Sequence, residues 1–278
     1  MYKRQGEDIH LEAEAFRRAF YDRADFMGDP DFAKVPVAQL IDKKYAAAWR
    51  DSIDASHASA SKDLKRPSFG ELERQARLHP AAVHESENTT HFSVVDGEGN
   101  AVALTTTLND SFGSRVTAKG LGFLLNDEMD DFASKSSVPN AAGLIQGPAN
   151  AVGSGKRPLS SMTPTMVLKD GKLVLVLGSP GGAKIITTVA NVLIDVVDFE
   201  LDIQEAVNAP RFHHQWLPDE ILVEDRLSPD TMNILRSMGH QLKVQHFWGD
   251  GECIMIDPKT GERLGASDGR NNGKAVGY

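Results

Sequence analysis

Paired hydroxyls, paired glycines and a run of carboxylates are the residues of this sequence best suited to chemistry. Residues 178–184 read Gly-Ser-Pro-Gly-Gly-Ala-Lys, after a strand pattern and ahead of a helical one. A phosphate loop has that setting, but Ala183 stands where it requires glycine and Ile185 where it requires Ser or Thr. Gly181 and Gly182 admit another use. Successive backbone N–H groups at a helix start can hold an oxyanion, and one such donor is worth roughly 3–4 kcal/mol in catalysis. A plain tight turn is the alternative. Residues 156–164 place Ser160 and Ser161 just ahead of a hairpin, a pair that specifies no chemistry alone. The carboxylates Asp127, Glu128, Asp130 and Asp131 lack the spacing of a calcium loop, and a solvated face is the usual meaning of such a run. His213 and His214 are adjacent, which rarely suits one metal, so a hydrogen-bonding role is expected. Asn88-Thr89-Thr90 matches a glycosylation sequon, a short pattern that often arises by chance. Cys253 is the only cysteine, so internal disulfides and Cys-based zinc sites are excluded. No metal and no cofactor is expected.

The elements that would carry these residues are mixed. Leu11, Ala15, Phe16, Ala19, Phe20 and Arg23 follow one helical face, which predicts a helix over 9–27 with Gly28 as its stop. A second helix is expected over 37–53, then a polar loop or linker over 55–87. β-rich runs at 91–96 and 101–108 flank a Gly97–Asn100 turn, and runs at 165–169 and 172–177 flank Asp170-Gly171, a strong hairpin signal. Helices follow at 185–199 and 228–238, and a last hairpin at 254–257 and 263–266. The pattern is α+β, with helices packed on an antiparallel sheet. The chain has 278 residues, 41% hydrophobic and 25% charged, with a net charge of −9. That acidic balance argues against nucleic acid and anionic membranes as partners. No apolar stretch is long enough to span a bilayer, and no apolar segment follows Lys3-Arg4 as an export signal requires.

Read together, five segments resemble the γ-glutamyltransferase (γ-glutamyltranspeptidase, glutathione hydrolase) family. They are TTHFSVVDGEGNAVALTTTLN from Thr89, GFLLNDEMDDF from Gly122, GSGKRPLSSMTPT from Gly153, GSPGGAKIITTV from Gly178 and NAPRFHHQWLPDE from Asn208. AFYDRADFMGDPDF from Ala19 resembles the part of the precursor before the cleavage point, so the likeness covers essentially the whole chain. It implies an N-terminal-nucleophile hydrolase with a four-layer αββα sandwich. Here that sandwich is expected to be incomplete, because the opening half of the usual precursor has no counterpart.

The resemblance also implies self-cleavage between Asn88 and Thr89. Residues 1–88 would be the remnant of the large-subunit region, ending in a polar linker. Residues 89–278 would be the small, catalytic subunit, and the two would form a heterodimer from one precursor. Thr89 would be the nucleophile. Its freed α-amine, with an ordinary pKa of about 7.7–8.0, suits a general base near neutral pH. By the same likeness Thr107 orients Thr89, and Gly181 and Gly182 form the oxyanion hole. Asn109, Glu128 and Asp131 hold the substrate ammonium, and Ser160 and Ser161 its carboxylate. The substrates would be glutathione and other γ-glutamyl amides, with water or amino-acid and peptide amines as acceptors. A periplasmic or extracellular setting is the family expectation. Ala142 stands where some members carry a tyrosine over the site. Two alternatives stand beside this reading: a cephalosporin (glutaryl) acylase on the same scaffold, and an inactive fragment.

Overall fold

The computed structural model describes residues 4–68, 89–133, 138–140 and 143–278. The expected Asn88–Thr89 cleavage bond, Ala142 and most of the expected linker lie outside the described residues.

The chain opens on α1 (Gly6–Phe26), followed by the short α2 (Val37–Leu40) and α3 (Lys43–Arg50). α1 starts earlier than the apolar spacing predicts, because the Gln5 backbone N–H donates to Asp8 Oδ2 at 2.7 Å and closes the first turn. Its buried face is also turned relative to the expectation. Ile9, Ala13, Phe20 and Ala24 face inward, while Leu11 is 43% exposed and Ala15 and Ala19 face out. The sequence misleads here because the inward face carries His10, Glu14, Arg17 and Arg18 as well. These groups satisfy one another. Glu14 accepts from Arg17 Nε at 3.1 Å and from Arg18, and Arg17 Nη1 donates to Ser61 Oγ at 2.6 Å. Buried polar groups are tolerable when they are paired in this way. The single helix expected over 37–53 is two helices, because the Asp42 carboxylate caps α3 by accepting from the Lys44 N–H.

Three small sheets follow. β1 (Thr89–Val95) and β2 (Ala101–Thr107) form a hairpin in perfect antiparallel register, Thr89 opposite Thr107. A four-stranded antiparallel sheet contains β3 (Thr165–Lys169), β4 (Lys172–Leu177), β8 (Cys253–Ile256) and β9 (Arg263–Ala266), in that spatial order. The third sheet contains β5 (Phe212–His213), β6 (Ile221–Glu224) and β7 (Leu242–Gln245). β6 and β7 are parallel, joined through α6 (Pro229–Ser237), so the all-antiparallel expectation is corrected at this one pair.

α4 (Ile185–Val197) and α5 (Ile203–Asn208) pack on the four-stranded sheet. Leu175, Leu177, Ile185, Val192, Val207 and Cys253 make that core. Val176 points to the opposite face by strand alternation and is equally buried, so β4 is covered on both sides. The β1–β2 hairpin packs against β4 and β8. Its other face is apolar and open: Phe92 opposes Leu104 and Val94 opposes Val102, all four between 38% and 48% exposed. A second core joins α1 and α3 to the segments 144–145 and 216–217 through Phe20, Tyr21, Trp49, Leu144 and Trp216. A third packs Ile9 and Ala13 of α1 on Phe212, Ile221, Val223 and Leu235. Arg270 reaches Glu224 at 2.6 Å and Asp268 at 3.0 Å, and Arg211 also pairs with Asp268, a fully buried network. Among the described residues no helix is long and apolar enough to cross a membrane.

Gly28 does not end α1 as a left-handed cap. α1 stops at Phe26, and Gly28 is needed because a Cβ there would lie 2.2 Å from the Ala149 carbonyl oxygen. Gly28→Ala should therefore force apart two backbone segments at a cost of about 1–3 kcal/mol. A thermal melt should show Tm lower by several degrees, since about 1 kcal/mol moves a domain of this size by about 2–4 °C. An unchanged Tm would show that the segments yield freely.

Candidate active site

Thr89 stands first on β1 and Thr107 last on β2, directly opposite in the register. Such pairs lie close enough for side-chain hydrogen bonds, and Thr89 Oγ1 donates to Thr107 Oγ1 at 3.1 Å. Thr107 Oγ1 also accepts from the Asn109 backbone N–H at 2.9 Å, so its acceptor side is fixed. That turn needs Asn109 at φ 72°, a left-handed conformation that asparagine tolerates better than most residues. Asn109 Nδ2 donates to the Asp127 carbonyl, 3.4 Å away.

His91 is two residues along β1 on the same face as Thr89, buried, with Nδ1 2.8 Å from Thr105 Oγ1. Its ring lies against Gly178, at the start of the glycine-rich turn. Burial pushes its pKa down to about 4, so it is neutral at pH 7. The turn after β4 carries Gly181 at φ 133° and Gly182 at φ 56°, then enters α4. The Gly181 value is open without strain to glycine alone, and the Gly182 value is a left-handed one that favours glycine. The structure thus sets the Gly181–Gly182 turn at a helix start, as the sequence suggests.

Glu128 to Asp131 form one 3₁₀ turn. The two carboxyl groups lie close enough for each to affect the other's ionisation. Burial raises the Asp131 pKa to about 7, helped by the bond and charge of Glu128, while Arg23 pulls it down. Glu128 is raised as well, mainly by burial. Two neighbouring carboxyl groups disfavour each other's ionisation, and a cation beside them relieves it.

Ser160 is exposed and its Oγ accepts from the Met162 N–H at 3.1 Å, whereas Ser161 is half-buried. Their loop is tied down from several sides. Lys156 Nζ donates to the Ala149 and Ala151 carbonyls, at 2.7 and 2.8 Å. The Leu159 N–H donates to Asn150 Oδ1 at 3.0 Å. The Arg157 N–H and Nε donate to Asp29 Oδ2, and these bonds hold the Asp29 carboxyl well below its usual range.

One small cavity of about 30 Å³ is lined by Thr89, Thr107, Asn109, Asp131, Ser160, Ser161 and Gly182, with Met162, Ala183 and Ile185. Seven of the nine residues singled out in the sequence therefore meet at one place. Glu128 reaches it through Asp131, and Gly181 stands one residue behind Gly182. A wider cleft of about 520 Å³ runs along β1, lined by residues 89–93 and by Asp250, Glu252 and the chain end at 271–276. Burial raises Glu252 to about 7 and Asp250 to about 6.

Sequence reasoning missed the residues that hold this set in place. Gln146 Nε2 and Asn150 Nδ2 both donate to the Asp131 carbonyl, at 3.0 and 2.7 Å. Asn150 thereby joins the acid turn to the serine loop. Arg23, from the last turn of α1, donates from Nη2 to Ser161 Oγ at 3.0 Å. Nothing local in the sequence announces these roles. His213 and His214 have the expected hydrogen-bonding surroundings: His213 Nδ1 lies 2.7 Å from Thr187 Oγ1, and His214 Nδ1 accepts from the Trp216 N–H at 3.0 Å.

A family model described as gamma-glutamyltranspeptidase matches residues 1–278. The glutathione hydrolase proenzyme of Escherichia coli strain K12 is 49% identical over 263 residues, which are 95% of this chain and 43% of that protein. The gamma-glutamyltranspeptidase from Pseudomonas nitroreducens, solved in complex with L-DON, is 48% identical. Its TM-score is 0.64, over 68% of this chain and 99% of that one. The cephalosporin acylase from Bacillus halodurans shares the fold with a TM-score of 0.78, over 100% of this chain and 46% of that one, at 23% identity. The fold class is thus α+β, of the N-terminal-nucleophile hydrolase kind. The chain spans less than half the length of the curated relatives it matches.

Proposed function

The chain belongs to the gamma-glutamyltranspeptidase family, and from that premise we propose that its site transfers the γ-glutamyl group of glutathione and related amides. The observation that supports this most is the single cavity in which Thr89, Asp131 and Ser161 meet. A γ-glutamyl group carries an ammonium and a carboxylate beyond the scissile amide. The Glu128–Asp131 pair suits the first, because a desolvated ammonium needs compensating charge. The hydroxyls of Ser160 and Ser161 suit the second.

In this reading the Thr89 α-amine takes the proton from Oγ1 as Oγ1 attacks the γ-carbonyl carbon. The Gly181 and Gly182 N–H groups hold the resulting oxyanion. The C–N bond then breaks, the amine leaves with the proton, and a γ-glutamyl ester remains on Thr89. Water or an acceptor amine attacks the ester and restores the hydroxyl. Thr107, bonded to Thr89 Oγ1 at 3.1 Å, keeps the nucleophile aimed.

The amine must first be freed. The proposed route is attack of the Thr89 hydroxyl on the Asn88 carbonyl, followed by hydrolysis of the ester so formed. N-terminal sequencing of the larger product should read Thr-Thr-His-Phe. Any other start would remove Thr89 from the nucleophile's place.

The relatives are about twice as long as this chain, and the open apolar face of the β1–β2 hairpin leaves room for further polypeptide to pack there. The functional test is therefore hydrolysis of γ-glutamyl and glutaryl anilides, by this chain alone and with that polypeptide supplied. Release from the γ-glutamyl donor alone supports the proposal. Preference for the glutaryl donor, which has no ammonium, would favour the acylase reading, and one uncleaved inert band the fragment reading.

A further inference from the structure

We propose that Arg23 is a positioning residue of the donor subsite, which turns the Ser161 hydroxyl into a hydrogen donor for the substrate carboxylate. The inference rests on the γ-glutamyl reading of the cavity and goes beyond it, since Arg23 lies outside the cavity lining.

A serine hydroxyl has one proton to give and two lone pairs. Arg23 Nη2 donates to Ser161 Oγ at 3.0 Å, which occupies a lone pair with a cationic donor. A guanidinium accepts nothing, so the Ser161 proton cannot return along that bond. Ser161 lines the cavity with Thr89, and an anion placed there is the natural acceptor for its proton. Ser160 differs. It is exposed, and its Oγ accepts from a backbone N–H that neutral turns commonly supply.

Arg23 also faces the other end of the subsite. Its charge lowers the Asp131 carboxyl against the burial that raises it. The same burial, opposed by Asp131, brings Arg23 down to about 10, where it is still cationic at neutral pH. One guanidinium therefore biases both grips on an α-amino acid: it primes the hydroxyl for the carboxylate and favours the ionised acid for the ammonium. It sits in the last turn of α1, where the helix dipole favours a cation. Arg157, bonded to Asp29 just beyond α1, ties the same serine loop to the same helix end. The groups facing Arg23 are thus Ser161 from the loop and Asp131 from the 3₁₀ turn, with Glu128 coupled behind Asp131.

The test compares wild type, Arg23→Gln, Arg23→Lys, Ser161→Ala and the Arg23→Gln/Ser161→Ala pair, in the assembly that releases γ-glutamyl groups. Two anilide donors are used: γ-glutamyl, and 4-aminobutanoyl, which keeps the amine and lacks the carboxylate. Arg23→Gln should raise KM for the γ-glutamyl donor about tenfold with little change in kcat. On the 4-aminobutanoyl donor the remaining effect should be the acid-side one only. There the pH at which KM rises should move upward, because loss of a nearby cation raises the Asp131 pKa. In the Ser161→Ala background the carboxylate-dependent part of the Arg23→Gln effect should vanish. Arg23→Lys, which keeps charge and one donor, should fall between wild type and Gln.

Full additivity of Arg23→Gln and Ser161→Ala would overturn the proposal. So would equal losses on both donors with an unmoved pH profile. If Ser161→Ala itself leaves the γ-glutamyl KM unchanged, the γ-glutamyl reading of the serine pair fails instead. Should Arg23→Gln not fold, Arg23→Lys in the two serine backgrounds decides the same point.

Discussion

Thr89→Ala should abolish γ-glutamyl release, lowering kcat by at least about 10⁴-fold, and should leave the chain uncut. Knocking out the nucleophile of a catalytic unit costs factors of that order or more. The fold should survive. Alanine removes one hydroxyl–hydroxyl bond of 3.1 Å, worth about 0.5–1.5 kcal/mol, and Thr107 keeps its bond to the Asn109 N–H. Activity and Tm together make the measurement: a variant that melts like wild type, runs as one band on a denaturing gel and hydrolyses no γ-glutamyl anilide. Thr89→Ser keeps a hydroxyl and should both cut and turn over, more slowly. Substantial activity in the alanine variant would mean that another group attacks the donor.

Asp131→Asn should weaken γ-glutamyl donors by about 10²–10³-fold and spare glutaryl donors. Breaking a buried charge pair by removing one partner typically costs about 3–5 kcal/mol. The pH dependence gives a second view of the same group. Burial and Glu128 raise Asp131 from 3.8 to about 7. Below that pH the carboxyl holds a proton, so an incoming ammonium must displace it. Donor KM should therefore rise as pH falls through about 7, and donor binding near pH 7 should release a proton. The slope should disappear in Asp131→Asn. Titration calorimetry in buffers of different ionisation enthalpy would detect the proton. Glu128→Gln should be milder, because glutamine still offers an acceptor to the ammonium. Equal losses on glutaryl and γ-glutamyl donors would remove Asp131 from the ammonium's place.

The parts of this fold written in short-range chemistry were legible. The β1–β2 turn is one: Asp96 accepts from the Glu98 and Asn100 N–H groups, both 2.9 Å away, as a Gly-rich hairpin turn leads one to expect. The β3–β4 hairpin and α4 follow the same logic of local turn residues and apolar period. What failed was whatever depends on distant partners. The buried face of α1 is not legible in the sequence because it is largely polar, and Arg17 and Arg18 find their partners at Glu14, Ser52 and Ser61. The third sheet was missed because its strands have two to four residues and one pair is parallel across α6. The Gly181–Gly182 turn stood out from its setting, but the roles of the other site residues emerged only from the resemblance to a family. Thr89, Asp131 and Ser161 are far apart in the chain, and composition carries no sign that they meet. Arg23 was visible only as one more member of a helical stripe.

The way α1 is embedded bears on how the molecule could be made. Its residues pack on Phe212, Ile221 and Leu235, Arg4 donates to Asn191, and Arg17 pairs with Asp219. All those partners come after Thr89. A cut at that point would leave every one of these contacts in place, so the two pieces would stay together without a covalent link. Assembly would nevertheless become a one-way history. Before the cut, α1 finds its place as part of the same molecule, at a fixed effective concentration. After it, an unfolded sample would have to reassemble from two separate chains, at a rate set by dilution and with no bond to restore. If the chain is cut there, the embedded helix would favour folding first and scission second.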